Sequence, residues 1–580
     1  MGYAYKESER IVKRFSGILK LFTRDVALYI ALGVLSAMMA AGANRMFQIL
    51  LDGFAARSME AAQLALYAVL VLAPCVGYYL MNVPEQRLQN GIYLEIKIRA
   101  LEKMRTIALD EWQKIGMGEL IQRVENGAQA GRNMLFDFYL RIAAELAPQM
   151  AFSAGFIALV DRQVFLWVAL GYIGVFVFSN LLLKSLYRIK RSILDNEEQF
   201  SARLVRGFME LVVFRLGGRF LPEINRARAS ARAICSARTR MTMVHEAFFT
   251  AFALLVGAMK VGILGYAYFA GGLSVGQAVA LIALLDGAYQ PVAVFNVLFV
   301  QFKLDRMGYA RLEAFMNAQD TPGLLGGATP NVVDGRVGIE DAGCAYGEKW
   351  VYRHLNLSIS SGASVGLVGP SGSGKSSLIK QITGLTPLAE GRIDVGGADV
   401  SKVNLEKFYA YLSYTPQEPP VFDGTVRENI LLEGEAGEEA LWQALDRVEL
   451  ADTVRRMPQG LDTPIGEKGA ALSGGERQRL ALARLFFLRD ERLVILDEAT
   501  SNLDNPTEER VMGRLLNHLK GRTLICIAHR LSCLRNFDEI VLLQEGKIAG
   551  QGSFEQMERE NAGFQALLRK ERERLDEKEY

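Results

Sequence analysis

Six long apolar stretches occupy the first 300 residues and constrain the fold more than any other feature of the chain. Each is close to the ~20 residues that an α-helix needs to cross the hydrocarbon core of a bilayer. Hydrophobic residues make up 50% of the chain, a large share for a soluble protein. The sequence therefore predicts an α-helical membrane domain over residues 1–320. Its six transmembrane helices are expected near residues 26–50, 62–82, 140–160, 163–183, 246–269 and 274–300.

The connections between these spans differ in length and in charge. Those near 51–61, 161–162 and 270–273 are short and carry few Lys or Arg, whereas those near 83–139 and 184–245 are long and rich in both. Because basic loops stay on the cytoplasmic side of a membrane, this pattern predicts a cytoplasmic N-terminus and a cytoplasmic C-terminal half. The long loops carry helical patterns, so we expect the spans to continue as long cytoplasmic helical extensions.

A Pro/Gly-rich linker, residues 321–334, separates the membrane domain from a half of different character. That second half contains short apolar strands, Gly-rich turns and amphipathic helices. We expect residues 335–570 to form an α/β P-loop ATPase domain and residues 571–580 to form a charged C-terminal tail. The net charge of +2 indicates no nucleic-acid partner.

An apolar strand over residues 363–368 leads directly into Gly369-Pro-Ser-Gly-Ser-Gly-Lys-Ser376, and a helical pattern follows. This is the GxxxxGK[ST] phosphate loop in its strand–loop–helix setting. Its glycines let backbone N–H groups converge on phosphates, and the helix N-terminus favours negative charge. Lys375 is predicted to supply charge to the outer phosphates, and the Ser376 hydroxyl to bind Mg²⁺. The ATP-binding residues predicted here are Gly369, Ser371, Gly372, Ser373, Gly374, Lys375, Ser376 and Ser377.

A second apolar strand, Arg492-Leu-Val-Ile-Leu-Asp-Glu498, ends in two acidic residues. Asp497 is predicted to hold Mg²⁺, directly or through water, and Glu498 to polarise the attacking water. Phosphoryl transfer requires a metal, a phosphate cradle and a group that positions the nucleophile. Because one chain contains both motifs, we predict an ATPase whose cofactors are ATP and Mg²⁺.

The segment Leu472-Ser-Gly-Gly-Glu-Arg-Gln-Arg479 resembles the signature motif of the ATP-binding cassette (ABC) family. The resemblance covers essentially the whole chain, because six spans before a cassette resemble the exporter-type half-transporters, including bacterial exporters of drugs and antimicrobial peptides. It implies that Ser473, Gly474 and Gly475 close on ATP held by a second cassette, so that two chains share each active site.

The same resemblance implies further roles in the ATP site. Tyr346 matches the aromatic residue that stacks on adenine. Gln417 matches the residue that senses Mg²⁺ and touches the membrane domain, and His529 matches the switch histidine at the γ-phosphate. The resemblance thus implies that Gln417, Glu498 and His529 are catalytic. The implied metal ligands are Ser376, Gln417 and Asp497.

Other matches concern the contacts between domains. Asp504 matches the inter-cassette loop of the ATP site, where Asn502 stands in place of the usual alanine. Glu467 matches an acid that contacts the intracellular helices. Residues 118–126 resemble the first coupling region of the family, and residues 208–222 are the candidate for the second.

The predicted function is ATP-driven transport, as export, of a polar or amphiphilic substrate such as a peptide or a drug. An importer, a lipid translocase and an ATP-gated channel or regulator remain alternatives on the same scaffold, whereas the six spans exclude a soluble cassette ATPase. Because Glu498 and His529 are both intact, a homodimer is favoured over a pair with a related half-transporter. The expected location is the bacterial inner membrane.

Two opposite charges, Lys260 and Asp286, fall inside the fifth and sixth spans. They lie at about 16 and 21 Å from the turn between these helices, as the helical rise per residue requires. An unpaired charge at such depth is costly, so we predict that the two residues pair. The pair is expected either to hold the helices together or to line the translocation cavity.

Overall fold

The computed structural model describes residues 15–115, 117–209, 211–270, 272–347, 349–432, 434–466, 469, 472–528 and 530–576. The chain forms two compact units. The first comprises Met1–Met104 and Gly116–Asn317, and the second comprises Arg105–Ile115 and Ala318–Tyr580. The boundary near 317 lies close to the predicted one at 320, but a short stretch of the membrane half, Arg105–Ile115, belongs to the second unit.

Long helices build the membrane unit, and each of the six predicted spans falls within one helical stretch. The helices are α1 Thr23–Ala55, α2 Ala61–Thr106, α3 Leu109–Gln113, α4 Met117–Arg132, α5 Ala147–Val160, α6 Arg162–Met209, α7 Leu211–Leu216, α8 Phe220–Ala270 and α9 Val275–Met316.

Several of these helices are long and apolar enough to cross a membrane. Within the described residues, five stretches meet that condition, and a shorter apolar helix covers Arg162–Val175 in α6. The helices extend beyond the apolar spans, as the patterns in the long loops predicted. Between α4 and α5 the backbone is π-helical over Asn133–Leu140 and Ile142–Leu146.

Helices α6, α8 and α9 pack together and form much of the apolar core of the membrane unit. Tyr289 is 1% exposed, and its hydroxyl donates to the carbonyl of Val168 at 2.8 Å. A Cβ at position 171 would lie 1.9 Å from that hydroxyl, so only glycine fits there. Ser274 caps α9 through a capping box with Gln277, which fixes the helix start.

The cassette contains two sheets. A four-stranded antiparallel sheet has the order β2-β1-β4-β5, and a six-stranded sheet has the order β10-β9-β3-β8-β7-β6. In the larger sheet β9, β3, β8, β7 and β6 are parallel, and β10 is antiparallel to β9. The strands are β1 Val337–Tyr346, β2 Lys349–Ile359, β3 Ser364–Val368, β4 Glu390–Val395, β5 Ala398–Asp399, β6 Leu412–Thr415, β7 Leu493–Asp497, β8 Thr523–Ile527, β9 Glu539–Gln544 and β10 Lys547–Gly552.

Helices pack on both sides of the larger sheet, as expected for buried parallel strands. They are α10 Lys375–Ile382, α11 Leu405–Phe408, α12 Val426–Leu431, α13 Glu438–Arg447, α14 Ala451–Arg455, α15 Gly474–Ala483, α16 Asn505–His518, α17 Phe554–Glu560 and α18 Ala562–Asp576.

The predicted tail begins too early in the chain. Helix α18 continues to Asp576, with Phe564 and Leu568 buried in the cassette core. Glu571 accepts hydrogen bonds from the backbone N–H of Leu531 at 3.0 Å through both carboxylate oxygens. The cassette therefore extends beyond residue 570, because α18 contributes both to its core and to a loop beside β8.

The predicted linker is also part of the second unit. Thr321 donates its backbone N–H to Thr106 at 2.7 Å, and Ala108 donates to Gln319 at 2.9 Å. Further along, Leu405 donates to the carbonyl of Gly323 at 3.1 Å. Backbone hydrogen bonds thus fix the Pro/Gly-rich segment to the rest of the second unit.

Candidate functional site

Four predicted site segments follow the carboxyl ends of parallel strands. The phosphate loop follows β3, Gln417 follows β6, Asp497 ends β7, and residue 529 follows β8. Open α/β sheets bind ligands at this edge, because the loops after the strands converge there. His529 and Glu467 lie outside the described residues, so their predicted roles remain predictions.

The phosphate loop has the backbone form that a phosphate cradle requires. Gly369 has φ +154°, and a Cβ there would lie 2.0 Å from the carbonyl oxygen of Leu543. The hydroxyl of Ser373 is buried and has no hydrogen-bond partner among the described residues. A buried hydroxyl without a partner is costly, and a phosphate oxygen would supply the missing one. The loop residues therefore fit a nucleotide.

Lys375 lies at the first position of α10. Its ammonium donates to the carbonyls of Gly369 at 2.8 Å and Pro370 at 3.0 Å. Burial lowers the pKa of Lys375, and the nearby carboxylates of Glu498 and Asp497 oppose this shift. The ammonium is thus held inside the phosphate loop, where we predict that the outer phosphates of ATP bind.

The two acids after β7 have different surroundings. Asp497 is 9% exposed and accepts a hydrogen bond from the hydroxyl of Tyr414 at 3.2 Å, and burial raises the pKa of Asp497. Glu498 has φ +53°, a conformation that is rare for a residue with a side chain. Its carboxylate accepts a hydrogen bond from Gln417 Nε2 at 2.5 Å. The structure thus brings together Gln417 and Glu498, each of which was separately expected to be catalytic.

The donor set suits magnesium. Ser376, Gln417 and Asp497 offer hydroxyl, amide and carboxylate oxygens, the hard ligands that Mg²⁺ prefers alongside water and phosphate. Such an ion would neutralise charge on the transferred phosphoryl group. Tyr414 was not predicted as a site residue, although it stands three positions before Gln417 in a segment that the motif analysis covered.

Tyr346 lies at the end of β1 with 44% of its surface exposed. Its hydroxyl is 3.4 Å from the hydroxyl of Ser377 on α10. An exposed ring beside the phosphate-loop helix has a free face for stacking on an adenine base.

The signature motif forms the start of α15. Ser473 is the N-cap, its hydroxyl accepts from the backbone N–H of Glu476 at 3.3 Å, and the Glu476 carboxylate accepts from the Ser473 N–H at 2.8 Å. Asp504 caps α16, and its carboxylate accepts the backbone N–H of Thr507 at 3.2 Å. In the described part of the cassette, no hydrogen bond joins Ser473, Gly474 or Gly475 to the phosphate loop of the same chain. The exposed signature end is therefore available to another cassette.

The turn between α2 and α4 contributes a further segment. Arg105 donates to the carboxylate of Glu406, and the hydroxyl of Thr106 donates to Asp320 at 2.6 Å. Residues 105–115 with α3 thus form one unit with the cassette. The predicted first coupling region, 118–126, lies within α4 in the membrane unit, and its coupling role remains a prediction. The spacing of motifs did not reveal that 105–115 belongs to the cassette unit, because this membership depends on contacts between residues far apart in the sequence.

The predicted second coupling segment, 208–222, contains α7 and the turn that follows it. Its coupling role remains a prediction.

The predicted membrane pair is present. The ammonium of Lys260 on α8 lies 2.7 and 2.8 Å from the two carboxylate oxygens of Asp286 on α9. A second polar cluster lies beside the π-helical segment, where the buried Tyr29 hydroxyl donates to Glu145 at 2.5 Å. The other oxygen of Glu145 accepts from Arg141 at 3.2 Å.

Comparison with known proteins agrees with this geometry. The family described as "ABC transporter" matches residues 352–501. The chain is 40% identical over 224 residues to the ABC multidrug transporter mdr1 of Aspergillus fumigatus, covering 38% of this chain and 16% of that relative. It thus spans only a small part of that longer protein.

Two further relatives cover more of the chain. The uncharacterized ABC transporter ATP-binding protein YwjA of Bacillus subtilis is 28% identical over 558 residues, covering 92% of this chain and 93% of YwjA. The mycobactin import ATP-binding/permease protein IrtB of Mycolicibacterium thermoresistibile is 32% identical over 312 residues, covering 52% of this chain and 53% of IrtB.

A bacterial Atm1-family ABC exporter with ATP bound has the same fold. The TM-score is 0.82 at 22% sequence identity, covering 96% of this chain and 98% of the exporter. A phosphate loop, two acids after β7 and a signature helix define the second half as an ABC ATPase domain. The chain as a whole has the exporter-type half-transporter fold, with the ABC transporter family match in its second half, and its apolar helices make it a multi-pass membrane protein.

Proposed function

We propose that two copies of this chain form an ATP-driven exporter in which the cassettes close over two ATP molecules and open after hydrolysis. The main support is that one cassette has two exposed and intact half-sites that, among the described residues, do not bond to each other. One is the phosphate loop with Lys375 and Glu498, and the other is the signature end with Ser473. Ser473 caps its own helix and makes no hydrogen bond to the phosphate loop within the described chain. Since Glu498 and Lys375 are also in place, two identical cassettes can complete each other. This supports the homodimer over a pair with a degenerate partner.

In the proposed reaction each residue has one task. Lys375 and the loop amides hold the phosphates, while Ser376, Asp497 and Gln417 hold Mg²⁺. Glu498 accepts the proton of the attacking water, and its hydrogen bond from Gln417 fixes the direction of its carboxylate. His529 contacts the γ-phosphate, Tyr346 stacks on adenine, and Ser473, Gly474, Gly475 and Asp504 act on the ATP of the partner copy.

The proposed cargo is polar or amphiphilic, such as a peptide or a drug-like cation or zwitterion. Charged groups in membrane helices usually face a water-filled interior, because lipid disfavours them. Lys260 and Asp286 are 32% and 57% exposed, which supports a place on the wall of a cavity.

Aromatic groups supply the apolar part of this proposed surface. The rings of Phe138 and Phe302 stack at 4.3 Å between centroids, and Phe299 lies 6.2 Å from Phe138. Phe299 stands 24 residues after the start of α9, at about 36 Å along the helix and thus near its cytoplasmic portion. Such rings suit the apolar part of an amphiphile that enters from the cytoplasm.

Transport in oriented vesicles tests the proposal. The full-length chain is reconstituted, and ATP-dependent movement of candidate peptides, drugs and lipids is measured with ATP on one side only. Accumulation inside inside-out vesicles supports export, whereas depletion supports import, the activity named for the relative IrtB. Absence of ATP-dependent movement with every cargo class, in a chain that hydrolyses ATP, would favour a channel or regulator. We propose the bacterial inner membrane as the location.

A further inference from the structure

Gln478 on the signature helix is almost completely buried, yet it is a polar residue that the proposed reaction does not use. Its side chain is 1% exposed. Its Nε2 donates to the backbone carbonyl of Gln417 at 3.3 Å and to the hydroxyl of Ser501 at 3.1 Å. Its Oε1 accepts the backbone N–H of Asn502 at 2.9 Å. One amide group therefore connects three segments that are far apart in the sequence.

Each of these segments bears a residue with a task in ATP hydrolysis. The side chain of Gln417 donates to Glu498, which belongs to the ATP site at the cassette's own phosphate loop. Ser501 and Asn502 precede Asp504 in the inter-cassette loop. Gln478 itself stands five residues after Ser473, the cap of the signature helix. The first segment serves the cassette's own ATP, and the other two serve the ATP of the partner copy.

Close packing limits how far these segments can move apart. An added Cβ on Gly475 would lie 3.1 Å from the carbonyl oxygen of Asn502, and one on Gly474 would lie 3.4 Å from the side-chain nitrogen of Asn502. The loop therefore rests directly on the N-terminus of the signature helix. Asn502, which stands where the family has alanine, presents its exposed amide at this contact.

We propose that Gln478 is a positioning residue that holds Gln417 at a fixed position relative to the signature helix and the Ser501–Asp504 loop. Through this connection, a change at one ATP site of the dimer alters the other. This inference rests on the proposed pairing of two cassettes. Three hydrogen bonds from one buried amide give a defined arrangement, because a shift of any one segment leaves a buried group unsatisfied.

Two substitutions in the full-length chain separate positioning from simple packing. Gln478→Glu keeps the shape but cannot donate to Gln417 and Ser501, and Gln478→Leu removes all three bonds. If either variant folds poorly, Ser501→Ala removes one acceptor while leaving Gln478 in place. The matched control is Gln381→Leu, since Gln381 is also 1% exposed and hydrogen-bonds to Tyr352, Gly343 and Pro387 away from these loops.

The Gln417 side and the signature-helix side of the proposed connection are measured separately. At the Gln417 end we measure the Mg²⁺ concentration for half-maximal ATPase activity. At the signature end we measure how long labelled ATP stays bound to the dimer when Glu498→Gln is also present. We expect the first to rise and the second to fall by at least about tenfold in both Gln478 variants, the size expected for losing one to two buried hydrogen bonds. Binding of ATP without Mg²⁺ is expected to stay within about threefold.

The inference is overturned if only the melting temperature falls, as in Gln381→Leu, or if only one of the two readouts moves. It is also overturned if Ser501→Ala, in a folded protein, moves neither. Failure of the proposed function is a different result, because then the wild-type chain itself neither hydrolyses ATP nor retains it in the Glu498→Gln background.

Discussion

The ammonium of Lys260 lies between the two carboxylate oxygens of Asp286, at 2.7 and 2.8 Å, and joins α8 to α9 inside the predicted membrane spans. The sequence predicted this pair from matched depths along two successive helices. Its proposed place on a cavity wall leads to the first prediction.

Lys260→Ala and Asp286→Ala should each leave a folded protein but lower cargo-stimulated ATPase activity and transport. On the wall of a water-filled cavity, as proposed, an ion pair contributes less than about 1 kcal/mol to stability, so the loss should appear in function rather than in folding. The exchange of both charges should restore part of the activity. Thermal unfolding in detergent and vesicle transport distinguish the outcomes: a large fall in melting temperature indicates a structural brace, and normal transport in both variants rejects either role.

Glu498→Gln should retain ATP binding and lose at least about 100-fold of turnover, because the amide cannot accept the proton of water. The variant should also trap a closed dimer in the presence of ATP. Steady-state ATPase and size-exclusion mass measure both effects. Glu545→Gln is the matched control, since Glu545 also has positive φ but lies in the turn between β9 and β10. Turnover near the wild-type value in Glu498→Gln would refute the assigned base.

Lys375→Ala should act on binding rather than on the chemical step alone. The ammonium now held by the carbonyls of Gly369 and Pro370 is expected to pair with ATP phosphates, and a charge-assisted contact of this kind is among the stronger ones. We expect ATP affinity to fall by about tenfold or more. Calorimetric titration checks this, with Lys402→Ala, a surface residue beside Asp399, as the control.

Arg105→Glu should uncouple cargo from hydrolysis. Arg105 binds Glu406 within the cassette unit, on the segment that continues from α2. Reversing its charge should leave basal ATPase activity but abolish its stimulation by cargo, and Glu406→Arg in the same chain should restore part of it. Arg123→Glu on α4 is the comparison. If it uncouples the protein while Arg105→Glu does not, the predicted coupling region 118–126 transmits the signal and residue 105 does not.

Phe564→Ala should destabilise the cassette by about 3–5 kcal/mol, because a fully buried ring leaves a cavity. Arg569→Ala, on the exposed side of α18, should change stability by less than about 0.5 kcal/mol. Denaturant unfolding of the full-length protein, followed by cassette-specific hydrogen exchange, measures the difference. Equal effects would show that α18 adds nothing to the core.

Most of the features that the sequence predicted followed from short local motifs. The phosphate loop, the acids after β7 and the signature helix each depend on a few adjacent residues, so their order in the chain was enough to predict the ATPase domain. Lys260 and Asp286 could also be paired in advance, because helix geometry converts sequence separation into depth.

Contacts between segments that are far apart in the sequence could not be predicted from such motifs. The candidate coupling region, 118–126, was chosen from local similarity, and that similarity gave no sign that residues 105–115 join the cassette through hydrogen bonds to Asp320, Thr321 and Glu406. The tail was placed too early because nothing in its charged sequence indicates that Glu571 would bind the N–H of Leu531.

The sequence by itself determined the class of this protein, because apolar length and short catalytic motifs follow from residues that are neighbours in the chain. Only the tertiary structure decided which segments act on each other. Gln478 shows the physical reason: its amide satisfies groups at positions 417, 501 and 502, and only the folded chain brings those groups within hydrogen-bonding distance.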